Sequence, residues 1–179
     1  NRINNELIAN IGNFIHRTLT FTWANYEGTV PVPKQHDSLD REFANKIEAV
    51  AREVGAEIEK VELSRGLRRI IEFSAFCNQY FQRKQPWVNK EQAKTCLYLC
   101  INAVRILAIL LAPYTPFSTE KLWQQLNLKG SVHEQSWSSA LELTIPSGHK
   151  INKPKVLFRK IADEEIEKQK RKLQKIAAK

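Results

Sequence analysis

The sequence predicts an all-α protein, an antiparallel helix bundle that is followed by an extended peptide and a terminal helix. Apolar residues recur at helical spacing in several long segments, and no strand-like alternation occurs before residue 140. Turn-forming residues separate these segments at short intervals, which favours neighbouring helices of opposite direction. We therefore expect a bundle over residues 1–140, a turn-rich extended segment over 141–162, and a Lys-rich helix or linker over 163–179.

The first two helices flank a loop that contains glycine and proline. Apolar residues at helical spacing cover about residues 3–25 and predict the first helix. After the loop, Asp37 or Ser38 can cap a second helix that runs over roughly residues 38–60.

The third and fourth helices meet at a proline. The third begins near Ser64 and reaches about Arg83, and Pro86 breaks it. Its predicted inner side consists of Leu67, Ile70, Ile71, Ser74, Cys77, Asn78 and Phe81. Asn89 can cap the fourth helix, which runs to Ala112.

The fourth helix is apolar enough to raise the question of a membrane span. The run CLYLCINAVRILAILLA covers residues 96–112, but Asn102 and Arg105 interrupt its middle and Pro113 ends it. A buried central helix explains such a pattern better than a membrane span does. A short amphipathic helix is expected to follow at about residues 116–126.

Charge and cysteine content limit the classes of function. The net charge is +9, but residues 150–179 carry +7 of it and the body of the chain only +2. A basic composition therefore indicates RNA or another polyanion only for the tail. The three cysteines, Cys77, Cys96 and Cys100, lie in apolar runs. An odd number of cysteines in a sequence that shows no signal peptide indicates reduced core thiols in the cytoplasm.

The sequence contains none of the common motifs of catalysis or metal binding. No C-x-x-C, H-E-x-x-H, glycine-rich phosphate loop or nucleophile elbow occurs, so we expect no metal site, no cofactor site and no catalytic residue in this chain. Because the chain contains no methionine and begins with Asn1, we also expect it to be a fragment of a longer protein.

Asn13 and Arg17 form a polar pair on the first helix. They lie four residues apart, so they share a face that falls outside the apolar stripe. An amide that both donates and accepts, beside a planar guanidinium, suits the edges of nucleic-acid bases. An ordinary solvated helix face explains the same spacing, and spacing alone favours that alternative.

Trp87 follows Pro86 at the predicted chain reversal between the third and fourth helices. An exposed indole can stack on an unpaired base, whereas an indole that folds back over the bundle end is a packing anchor. We expect the start of the first helix to lie at the bundle end that carries this reversal. Upstream, Arg83 and Lys84 are candidate phosphate contacts, which position RNA without selecting a sequence.

These segments resemble those of methionyl-tRNA synthetases. The stretch NELIANIGNFIHRTLTF is similar to the first helix of that family's anticodon-binding bundle, with its N-x-x-x-R on Asn13 and Arg17. The stretch NQYFQRKQPW resembles the segment that ends in the family's Pro-Trp pair, on Pro86 and Trp87. APYTPFSTEKLWQQL resembles a closing helix that the leucine, isoleucine and valine enzymes share, and SGHKINKPKVLF is similar to a carboxy-terminal peptide of the methionine branch.

The resemblance implies recognition of the CAU anticodon of tRNA(Met) by a class I synthetase anticodon-binding domain. Trp87 would stack on an anticodon base, most simply the first, while Asn13 and Arg17 would bind the splayed bases and Pro86 would shape the pocket. ATP, methionine and, as a further candidate, zinc would belong to a missing catalytic domain, since H-I-G-H and K-M-S-K-S are absent here. The expected partners are the anticodon loop and that catalytic domain, with no DNA and no membrane.

Two alternatives remain open at this point. One is a non-catalytic protein-interaction or scaffold bundle in which Trp87 is a packing anchor. The other is the anticodon domain of a related leucine, isoleucine or valine enzyme, because the closing helix by itself fits all of these.

Overall fold

Long helices follow one another along the chain, as the apolar periodicity predicts. The computed structural model describes residues 3–159 and 163–177. A π-helical segment, Ile3–Gly12, leads directly into the first α-helix. The α-helices are α1 (Asn13–Tyr26), α2 (Ser38–Glu59), α3 (Leu63–Lys84), α4 (Lys90–Leu111), α5 (Pro116–Gln125) and α6 (Asp163–Ala177). Within the described residues the β-type pairing is one isolated bridge, so the predicted all-α bundle is confirmed.

The expected position of the first helix relative to the α3–α4 turn is wrong. The Asn10 side chain donates to the main-chain oxygen of Ile71, and that of Arg17 donates to Gln82 further along α3. A later residue of the first helix therefore contacts a later residue of α3, which means that α1 runs parallel to α3. In an alternating bundle the first and third helices share a direction, so the second half of α1, and not its start, lies beside the turn.

Helix α4 is the centre of the bundle, and the prediction of a buried central helix is confirmed. Among the described residues it is the one helix long and apolar enough to cross a membrane, but 89% of that stretch is buried inside the protein. Asn102 and Arg105, which interrupt the apolar run, are themselves buried. The Asn102 amide accepts from the main-chain N–H of Ile145 (2.9 Å) and donates to its carbonyl (3.2 Å), as a neighbouring strand would. These polar side chains therefore anchor the chain that follows the bundle.

That following chain packs along the bundle. Two short 3₁₀ helices, Val132–Glu134 and Trp137–Leu141, precede an extended stretch. The main-chain N–H of Val30 donates to the carbonyl of His149 (2.8 Å), and that of Asn152 donates to the carbonyl of Gln125 on α5 (2.9 Å). In α6 the side chains of Glu164 and of residues 166–174 are exposed, while the predicted boundary at 162 and the last two residues lie outside the described residues.

A buried ion-pair cluster joins the end of α3 to the start of α2. The Lys84 ammonium lies 2.7 Å from Asp37 Oδ2 and 3.0 Å from Asp40 Oδ1, and the Lys84 side chain is 2% exposed. Burial disfavours the charged ammonium, but the hydrogen bonds to the two carboxylates outweigh this effect and raise the pKa of Lys84. The same two aspartates form the capping box of α2, and the hydroxyl of Tyr80 donates to Asp40. The last turn of α3 is thereby fixed to the first turn of α2.

Replacing Lys84 with methionine should lower the free energy of unfolding by about 3–5 kcal/mol, because Asp40 then stays buried without its counter-ion. The matched control is Lys46→Met, which breaks a 3.0 Å pair with Glu53 whose side chains are both 38% exposed. That control should cost at most about 1 kcal/mol. Urea unfolding near neutral pH measures both, and equal losses in the two variants would contradict the role given to the buried pair.

Candidate nucleic-acid interface

The turn between α3 and α4 is held at both ends by main-chain and side-chain hydrogen bonds. Gln85 ends α3 in the left-handed conformation (φ 42°), and its N–H donates to the carbonyl of Phe81. Asn89 caps α4 by accepting from the N–H groups of Glu91 (3.1 Å) and Gln92 (3.3 Å), as the sequence predicts. Residues 86–88 between these two caps have little conformational freedom, and they carry the tryptophan.

Trp87 is 47% exposed at this turn. Its ring centroid lies 6.2 Å from that of Phe81, with the planes inclined by 37°. Phe81 is buried and packs edge-on against Phe21 of α1, so it supports one side of the indole. Pro86 is buried beneath the turn. The tryptophan is therefore positioned by packing and still offers nearly half of its surface to solvent.

Arg17 connects this aromatic group to α1. Its guanidinium carbon lies 4.9 Å from the centroid of Phe81 and 5.8 Å from that of Trp87, within the range of cation–π attraction. Its Nη2 donates to Gln82 Oε1 at 3.3 Å. Arg17 and Trp87 therefore lie close together, which the sequence alone did not establish. Asn13, one helical turn before Arg17, is exposed and donates to Asn78 at 3.1 Å.

The two candidate phosphate contacts, Arg83 and Lys84, differ in their exposure to solvent. Arg83 is exposed near the turn, so its predicted contact stays a prediction. Lys84 is buried in the ion-pair cluster with Asp37 and Asp40, and its ammonium does not face solvent. The structure therefore contradicts the expected phosphate contact of Lys84, because the cation is already neutralised inside the bundle. The sequence showed two adjacent basic residues but not the partners, which lie more than forty positions earlier.

A groove next to Trp87 was missed by the sequence analysis. It has a volume of about 260 Å³ and is lined by Phe21, Asn25, Tyr26, Pro86, Lys90, Glu91 and Lys94. Phe21 and Asn25 continue the four-residue spacing of Asn13 and Arg17, and this spacing was the signal that could have identified them. The face of α1 that carries Asn13 and Arg17 thus continues to the amino end of α4. There Lys90 lines the groove beside Lys94, which is paired with Glu91 at 3.1 Å.

The rest of the described chain offers no obvious site for a metal or a nucleophile. No group of three or more potential metal-ligating side chains occurs among the described residues. Cys77, Cys96 and Cys100 are free thiols in the core. Burial raises the pKa of the Cys77 thiol well above its usual value, so this sulfur stays protonated and unreactive.

Comparison with known proteins agrees with this fold. Residues 40–178 match the family model described as the anticodon-binding domain of tRNA ligase. The chain belongs to this family of anticodon-binding domains. Within it, the resemblance to methionyl-tRNA synthetases is confirmed by relatives and by solved structures.

The relatives are methionine–tRNA ligases. The chain is 38% identical to that of Pyrococcus abyssi over 169 residues, covering 92% of this chain and 23% of the relative. It is 38% identical to that of Methanopyrus kandleri, covering 94% and 25%. The apo form of methionyl-tRNA synthetase from Mycobacterium tuberculosis superposes with a TM-score of 0.83 at 25% identity, over 90% of this chain and 34% of that one. The complex of that synthetase with methionyl-adenylate gives a TM-score of 0.81 at 25% identity, over 89% and 32%. The chain therefore spans about a quarter of the length of these sequence relatives and about a third of the solved chains.

Truncating Trp87 to alanine should lower the free energy of unfolding by about 1 kcal/mol, because the indole is half exposed. Trp123→Ala is the matched comparison. That indole is 2% exposed and donates to the carbonyl of Lys129, so its loss should cost about 3–5 kcal/mol. Urea unfolding of both variants checks the difference. A loss at Trp87 as large as that at Trp123 would identify Trp87 as a packing anchor.

Proposed function

We propose that this chain is the part of a methionine–tRNA ligase that recognises the CAU anticodon of tRNA(Met). The observation that carries the proposal is the position of the Arg17 guanidinium, 5.8 Å from the ring of a half-exposed Trp87 at the end of the bundle. Single-stranded RNA loops are bound through such pairs, with bases stacked on aromatic rings and hydrogen-bonded at their edges. The family to which the chain belongs supports an RNA ligand.

Each site residue has a distinct part in this proposal. Trp87 stacks on the first anticodon base, the cytosine, and Pro86 fixes the direction in which the indole leaves the turn. Asn13 binds the edges of the splayed bases through its amide, which can donate and accept, and Arg17 donates to them. Arg83 contacts a backbone phosphate and contributes affinity without base preference.

The catalytic part of the reaction belongs to other residues of the parent protein. That protein would use ATP to attach methionine to tRNA(Met) in the cytoplasm, with zinc as a candidate structural ion outside this chain. The names of the relatives, which are methionine–tRNA ligases, support this assignment over the leucine, isoleucine and valine enzymes. The extended segment, whose Val156 is 69% exposed beside the bundle, is a candidate contact for the catalytic domain.

One specific observation favours a second candidate function, that of a protein-interaction bundle. The Trp87 ring lies beside Phe81, as a packing anchor would. An anchor and a stacking platform differ in whether RNA changes the environment of the indole, and the following experiments measure that change.

Trp87→Ala should weaken binding of a hairpin with the CAU loop by about 1–3 kcal/mol, because one base loses its stacking partner. Titration of the hairpin should quench the fluorescence of the native chain, and this quenching should disappear in the variant. Trp87→Phe keeps an aromatic face and serves as the matched control, with a smaller loss of affinity. Quenching that persists in Trp87→Ala would come from Trp23, Trp123 or Trp137 and would refute the stacking role.

Arg17 and Arg83 should respond differently to substitution by alanine. Arg17→Ala should reduce discrimination between CAU and altered anticodons by about 1–3 kcal/mol, because a contact to a base edge is lost. Arg83→Ala should weaken all hairpins alike and lower the salt dependence by about one phosphate contact. Dissociation constants at several salt concentrations separate the two. A uniform loss in Arg17→Ala would reduce Arg17 to a phosphate contact.

A further inference from the structure

Three asparagine side chains form a hydrogen-bonded chain where the π-helical segment meets α1. Asn78 of α3 donates through Nδ2 to the main-chain oxygens of Asn10 (3.1 Å) and Ser74 (3.1 Å), and also to Asn10 Oδ1 (3.0 Å). Asn10 in turn donates through its own Nδ2 to the carbonyl of Ile71 (3.0 Å). At the other end, Asn13 Nδ2 donates to Asn78 Oδ1 (3.1 Å).

These partners leave only one orientation for the Asn78 amide. A main-chain carbonyl can only accept, so the nitrogen of Asn78 has to face Asn10 and Ser74. Its oxygen then faces Asn13 and accepts from the Asn13 nitrogen. Because an amide carries its nitrogen and its oxygen on opposite sides, Asn13 Oδ1 points away from Asn78. No hydrogen bond to Asn13 Oδ1 occurs within the described part of the chain.

Arg17 presents groups of the opposite kind one helical turn further on. Its Nη2 donates to Gln82, and its Nε and Nη1 have no hydrogen-bond acceptor among the described residues. A fixed acceptor at Asn13 therefore lies beside available donors at Arg17. The matching base edge carries an exocyclic amino group next to a ring-nitrogen acceptor, as in cytosine and adenine. Uracil and guanine carry a carbonyl oxygen in place of that amino group.

We propose that Asn78 is a specificity-determining positioning residue. It fixes the amide of Asn13 with the oxygen outward, so that the site selects an amino base, cytosine or adenine, over a keto base, uracil or guanine. This inference rests on the proposed function, because it names how the same site distinguishes bases. Without Asn78 the Asn13 amide can rotate and offer either its oxygen or its nitrogen.

The test compares dissociation constants for three hairpins whose loops carry CAU, UAU and CGU. The second replaces the amino base cytosine with uracil, and the third replaces adenine with guanine. The native chain should prefer CAU over at least one of the other two. In Asn78→Ala that preference should fall about tenfold, since one oriented hydrogen bond to a base edge is lost. Asn45→Ala removes an exposed asparagine of α2 and should leave the preference unchanged.

A double-mutant cycle shows whether Asn78 acts through Asn13. Asn13→Ala should reduce the same preference, and adding Asn78→Ala to it should have no further effect on the ratio of dissociation constants. A merely structural role of Asn78 would weaken binding to the three hairpins equally and leave the ratio unchanged, and that result would overturn the inference. If Asn78→Ala does not fold, Asn78→Leu keeps a similar side-chain volume, removes the acceptor that holds the Asn13 nitrogen and should give the same fall in the ratio. A native chain that binds none of the hairpins would instead refute the proposed function itself.

Discussion

The site depends on the buried ammonium of Lys84. Lys84 is the last residue of α3, and its ammonium is held by Asp37 and Asp40 at the start of α2. Because Asp37 and Asp40 also cap α2, one cluster fixes both the end of α3 and the beginning of α2. The turn that carries Trp87 starts at the next residue, so its position relative to the bundle is set by the Lys84–Asp40 pair, which is buried on both sides and only weakly screened by solvent. A surface pair would fix the turn far less firmly.

Packing and stacking are compatible roles for Trp87. Phe81 and Arg17 contact the indole, and 47% of it is still exposed. An aromatic ring that is already held by its neighbours loses little conformational entropy when a base stacks on it, so more of the stacking energy appears as affinity. The contact with Phe81 would therefore favour the proposed stacking, and it is compatible with a ligand at the exposed side of the indole.

The helices and their caps could be predicted from the sequence, because apolar spacing and single capping residues such as Asn89 are local features. The four-residue spacing of Asn13 and Arg17 likewise shows that they share a helix face, whereas only the family resemblance connects that face with base recognition. What failed depended on contacts between distant segments. The pair Arg83 and Lys84 indicates surface charge because the aspartate partners of Lys84 are far away in sequence. The apolar spacing predicts that Asn78 lies on the inner side of α3, yet it does not show which main-chain carbonyls the amide will bind.

Charge alone explains little of how this chain would select its ligand. Residues 150–179 carry most of the net charge, whereas the face of α1 beside Trp87 combines one arginine with uncharged amides. Phosphate contacts increase affinity for every RNA equally, but an amide discriminates only if its oxygen and nitrogen cannot exchange places. A main-chain carbonyl can only accept a hydrogen bond, so the backbone of α3 fixes the orientation of the Asn78 amide. Asn78 in turn fixes the orientation of the Asn13 amide. In the proposed site, the rigid helical backbone would thus be the source of the base selectivity of Asn13, since a freely rotating surface amide has none of its own.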